Sequence, residues 1–173
     1  MNTLKSEILR HLRPLIGLRL SIARRAADMR NLHFGEVRRT ARGSVADYRL
    51  HVQCAWRIEG PDGVITGRAD LWEPADIVAD IDWDNWDYEK DENYQDRMMG
   101  ELMRQYDAET RSWVNMSDRL VVEAIDADEY GGASLQLSGG FRIVIFPDGA
   151  RGEHWRFISD DGHFVVGGDH EWV

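Results

Sequence analysis

Asp80, Asp82 and Asp84, with Asp91 beyond them, fall on the first, third, fifth and twelfth positions of a calcium-loop spacing. Calcium takes hard oxygen ligands of this kind. The segment departs from that motif in three ways. Asn85 stands where the loop needs a turn-forming Gly, Asp91 replaces the bidentate Glu, and the flanks do not read as a helix pair. Any acidic run produces such spacing, so it assigns no metal ligand, and no cofactor is expected.

A second chemistry is nucleophilic. Cys54 is the only thiol, and His51, His154, His163 and His170 are candidate bases. Catalysis needs thiol and base within hydrogen-bond reach, plus oxyanion donors. A strand through this stretch puts His51 and Cys54 on opposite faces, with Cys54 on the apolar one, where cysteine acts as a small hydrophobe. A glycosidase-like carboxylate pair is a third option, but no spacing singles out two of the many acids. There is no Gly-rich phosphate loop, no zinc spacing and no nucleophile elbow. No catalytic residue is therefore assigned, and the chain reads more as a binder than as an enzyme.

Two binding surfaces remain. Trp83, Trp86 and Tyr88 are embedded among Asp80, Asp82, Asp84 and Asp87. Aromatic anchors ringed by charge have the composition of interaction hot spots, and the acids would steer a basic partner. The competing reading folds both tryptophans back onto the core and leaves the acids to solvate the loop. The other surface is a pocket in the curled sheet, lined by His51, Gln53, Arg57 and Asp70, for a substrate or small ligand. Nucleic-acid binding through Arg24-Arg25, Arg38-Arg39 and Arg42 would need a basic face. The aromatics cluster with acids instead, and the net charge is −10.

The elements that position these residues centre on Tyr48–Ile58, read as one strand. Leu50, Val52, Cys54, Trp56 and Ile58 share its apolar face by the period-2 rule. Gly60-Pro61-Asp62-Gly63 turns the chain, and Val64–Trp72 returns as a second strand. A like piece closes the protein: Trp155-Arg156-Phe157 runs into Asp161-Gly162 and a strand ending near Trp172. Chance and internal duplication both account for this; either way, two similar hairpins should pack into one β core.

Upstream, Leu4, Ile8, Leu9 and Leu12 make a helical stripe, with Asn2 or Thr3 as N-cap and Pro14 as the stop. Leu18, Leu20 and Ile22 alternate as a strand, Ala23–Phe34 is undecided with Arg24, Arg25 and Arg30 solvated, and a further strand is expected near 36–40. Downstream of the acidic stretch, Tyr94, Met98, Leu102 and Tyr106 predict an amphipathic helix of about four turns. Five apolar runs from Arg119 to Val166, separated by Gly- and Asp-rich turns, predict a β-meander.

At 173 residues the chain is read as a single domain, long enough to fold without metal or disulfide. One cysteine, no signal peptide and no long apolar run predict a cytoplasmic protein with no membrane span. The charge is split: residues 1–57 carry twelve Lys/Arg against four Asp/Glu, whereas residues 76–96 hold nine acids against Lys90. Either the two regions face each other, or the acidic segment meets a basic partner. The fold class is α+β: a strongly twisted antiparallel sheet, curled toward a barrel, with an N-terminal and a central helix.

His51-x-Gln53-Cys54-x-Trp56-Arg57, Gly67-x-x-Asp70 and Glu153-x-Trp155-Arg156 resemble a strand pair carried by small bacterial proteins of uncharacterised function. The resemblance covers short stretches and transfers no residue roles. Small acidic single-domain chains of this type also resemble immunity proteins paired with secreted toxins, which implies a basic protein as partner.

Overall fold

The computed structural model describes residues 3–168. Asn2, His170 and Trp172 lie outside them. Helix α1 (Leu4–Leu12) is capped by Thr3, whose hydroxyl accepts from the Ser6 amide, and it buries Ile8 and Leu12. Pro14 fits the first turn of the 3₁₀ segment Arg13–Leu15, because that position needs no amide donor.

The strands are β1 (Leu20–Ala26), β2 (Met29–Phe34), β3 (Arg38–Thr40), β4 (Gly43–Val45), β5 (Tyr48–Val52), β6 (Ala55–Gly60) and β7 (Gly63–Gly67). After helix α2 (Tyr94–Met103) come β8 (Gln105–Asp107), β9 (Ser112–Val114), β10 (Val122–Ala127), β11 (Ala133–Leu137), β12 (Phe141–Phe146), β13 (Glu153–Ser159) and β14 (Gly162–Gly167). They form a seven-stranded sheet, β14-β13-β5-β2-β1-β9-β8, and a five-stranded sheet, β10-β11-β12-β6-β7. Strands β3 and β4 make a separate hairpin. Pairing is antiparallel throughout, and neither sheet closes on itself. The fold is thus α+β and antiparallel, with two open sheets in place of one curled sheet.

The expected central strand is two strands in different sheets. At the break, the amides of Gln53 and Cys54 both donate to the His154 carbonyl, at 2.9 and 3.1 Å. Leu50, Val52, Cys54, Trp56 and Ile58 are nonetheless all buried, in one cluster fed by both sheets and both helices. The apolar alternation runs through the break because both sheets turn that face toward the same core. Trp155 joins this cluster, and its indole N–H donates to the Gly131 carbonyl at 2.8 Å.

Four further expectations are corrected. The return strand ends at Gly67, and Arg68–Trp72 is a 3₁₀ turn. The undecided stretch is the β1–β2 hairpin, and Arg30 is buried in it with only 1% exposure. The meander strands form, but β13 and β14 leave the five-stranded sheet for the seven-stranded one. Helix α2 stops at Arg104, in the left-handed region at φ 74°, and Tyr106 lies in β8. Its buried face is Gln95, Met99, Leu102 and Met103. Gly100 sets how close α2 sits to β9, since a Cβ there would lie 2.8 Å from the Trp113 ring.

Candidate functional site

The acidic segment is a loop fastened at its base. The Ala75 amide donates to the Glu92 carbonyl at 3.0 Å, and the Tyr94 amide to the Glu73 carbonyl at 2.8 Å. Arg97 grips both ends, with bonds of 2.7 and 2.9 Å to Asp76 and of 3.0 and 2.8 Å to Glu92. These bonds hold both carboxyls below their usual range. Internal turns then shape the tip. The Asp82 carbonyl accepts from the Trp86 amide at 2.9 Å, and the Asp91 carboxylate accepts from the Asp87 amide at 2.9 Å. Among the described residues no three His, Cys, Asp or Glu side chains converge as a metal-ligand set, Asp80, Asp82, Asp84 and Asp91 included.

The aromatics divide between the two readings. Trp83 is 60% exposed and meets the half-buried Trp86 edge-on at 6.4 Å. Tyr88 turns inward, edge-on to Trp72 at 6.3 Å, with the Arg25 guanidinium 5.4 Å above its ring. Ile77 (83% exposed) and Val78 are further exposed apolar side chains of the same loop. The acids divide too. Asp87 pairs with Lys90 at 3.0 Å, but Asp80, Asp82 and Asp84 make no ion pair among the described residues.

The basic third meets a carboxylate of the acidic segment behind the loop. Asp96, in the first turn of α2, accepts from Arg25 Nε and Nη2 at 3.4 and 3.2 Å and from Arg30 Nη2 at 3.1 Å. Asn93 caps the helix, accepting from the Asp96 amide at 2.8 Å and donating to its carboxylate at 2.9 Å. Burial alone would push the Asp96 carboxyl up; Arg30, Asn93 and Arg25 together hold it below its usual range. Arg30 also donates to the Gln95 carboxamide and stacks 5.6 Å over Trp56. In front of this cluster lies an open cleft of about 870 Å³. It is lined by Arg25 and Arg30 of β1 and β2, by Arg111 of the β8–β9 turn, by Glu89, Lys90 and Asp91 of the loop, and by Tyr106 and Trp113.

The other predicted residues fall on both sides of the break between β5 and β6. His51 belongs to the seven-stranded sheet, and Gln53 lies in the break just beyond it, where its side chain donates to Glu153 at 3.1 Å. Arg57 lies across the break in the five-stranded sheet and is engaged by Glu59 at 2.8 Å. Asp70 is structural: it accepts from the Thr66 hydroxyl and the Gly67 amide, each at 3.0 Å. None of the four lines the large cleft. Burial pushes the Cys54 thiol up to about 12, so it is protonated and unreactive at neutral pH.

Arg30, Asp96 and Trp113 were missed, although two of them left a signal. Arg30 is in register with Leu32 and Phe34 on the apolar face of β2, and Asn93-x-x-Asp96 has helix-capping spacing. No protein family, curated protein or solved structure matches this chain.

Proposed function

We propose that this protein is a binding protein, acting in the cytoplasm, that takes a basic protein partner on the tip of its acidic loop. The carrying observation is Trp83, largely exposed between Asp82 and Asp84 on a loop fixed at its base. A preformed loop loses little conformational freedom on binding, so more of the contact energy appears as affinity. The uncompensated carboxylates of Asp80, Asp82 and Asp84 raise the encounter rate with a positive surface. Trp83 then supplies the apolar anchor, and Ile77 and Val78 are exposed on the same loop. An immunity-type pairing with a basic toxin is the setting that fits these features. No helix among the described residues is long and apolar enough to cross a membrane. Replacing Asp80 and Asp84 by Lys and measuring the association rate at low salt tests the reading. A large fall in on-rate supports it, and an unchanged on-rate overturns it.

A further inference from the structure

The cluster behind the loop is unbalanced in charge. Two guanidinium groups, Arg25 and Arg30, share the single carboxylate of Asp96, and the other partner of Arg30 is the neutral Gln95. Arg30 is almost wholly buried, yet its Nε and Nη1 donate no hydrogen bond among the described residues. A buried positive charge with idle donors is costly unless something answers it. The large cleft opens directly onto this group.

Arg111, which also lines the cleft, adds a third guanidinium. It makes no ion pair or hydrogen bond among the described residues, and its backbone is held at φ 49°, a conformation that non-glycine residues adopt at a cost. Strain of this kind collects at ligand-binding positions. From the loop, Glu89 and Asp91 line the cleft and form no ion pair among the described residues, while Lys90 between them is paired with Asp87 at 3.0 Å. Tyr106 and Trp113 also line the cleft and pack with ring centroids 4.6 Å apart and planes tilted by 52°, offering aromatic surface to a ligand. The volume of about 870 Å³ falls within the range of small-molecule sites.

We infer that the cleft binds a zwitterionic small molecule of the α-amino-acid type. Its carboxylate sits on the side of Arg25, Arg30 and Arg111, its ammonium faces Glu89 and Asp91, and its side chain lies along Tyr106 and Trp113. A simple anion would answer the Arg25–Arg30 charge but leave the acidic rim opposed to it. A simple cation would meet Arg111. A molecule with both charges at fixed separation satisfies both sides.

The full chain is titrated with each free L-amino acid at millimolar concentration, following the Trp113 indole resonance and the melting temperature. Sodium acetate, inorganic phosphate and the N-acetyl and carboxamide forms of the best binder serve as further probes. Saturable binding is expected for a subset of amino acids. It should weaken about tenfold in Arg111→Ala, in line with the loss of one charged hydrogen bond, and again with either charge-blocked form. Arg111 is exposed, so its replacement is not expected to unfold the protein. Asp84→Lys, at the loop tip, should leave amino-acid binding unchanged, so failure of the partner reading and failure of this one are separable. Two results overturn the inference: no amino acid shifting the indole resonance, or acetate and phosphate binding as tightly as the best amino acid.

Discussion

Arg30 Nη2 and Asp96 Oδ1 meet at 3.1 Å, joining the apolar face of β2 to the first turn of α2. This contact anchors the back of the acidic loop, because Asn93, the residue that ends the loop, caps α2 through Asp96. The loop tip can carry unpaired charge because the loop's base and back are tied down independently of it.

Asp96→Ala should destabilise the protein by about 3 kcal/mol, since it leaves Arg30 buried without a counter-charge. Adding Arg30→Leu should recover part of that loss, because no uncompensated charge then remains. Urea midpoints for the two single variants and the double variant give the coupling. A double variant as unstable as the sum of the singles would contradict the assignment.

His33 gives stability a pH dependence of definite sign. Burial, then the charges of Arg24 and Arg49, lower its pKa to about 3, and its Nδ1 accepts from the Ala46 amide at 3.3 Å. In the unfolded chain it titrates near the ordinary histidine value of 6.5. The stability contributed by neutral His33 is therefore fully present above that value and is lost as pH falls toward about 3. The slope is about 1.4 kcal/mol per pH unit within that window. His33→Gln should flatten the profile between about pH 6 and pH 4. Identical slopes for wild type and variant would show that His33 protonates in the folded state.

Cys54 is 4% exposed, and its thiol is protonated at neutral pH. A thiol reagent should modify the native protein only as fast as the surrounding core opens, and should react at once in denaturant. Immediate labelling under native conditions would place the thiol at the surface.

Trp83→Ala should change the urea midpoint by the equivalent of less than about 0.5 kcal/mol, as for an exposed side chain. Trp155→Ala, in the core, should cost about 3–5 kcal/mol. A comparable loss for Trp83 would mean that its ring belongs to the core.

The sequence made individual elements legible where periodicity, turns and caps agree, as in α1 and in strands β6 and β10 to β14. It hid the division into two sheets. The side-chain alternation from Leu50 to Ile58 is unbroken, and the backbone event that separates β5 from β6 is the capture of two amides by the distant His154 carbonyl. The pocket expected from His51, Gln53, Arg57 and Asp70 assumed a continuous strand, so the break scatters it. The acidic loop was legible as charge and aromatic content. Which ring points outward was not, because that depends on Arg25 and Trp72 holding Tyr88 inward. Asp82, Asp84 and Asp87 look alike in sequence, yet Asp87 also accepts from the Glu89 amide at 2.9 Å. Charge reversal at Asp87 would therefore disturb the loop as well as its charge.

The most direct test captures partners from lysate of the source cell at low and moderate salt. The bait is wild-type protein beside two variants, Asp80→Lys/Asp84→Lys and Trp83→Ala. A basic protein should be retained by the wild type at low salt, released as salt rises, and lost with either variant. The purified partner should then associate more slowly with the charge-reversed protein. Retention of the same proteins by all three baits, unaffected by salt, would contradict the assignment of partner binding to the loop tip.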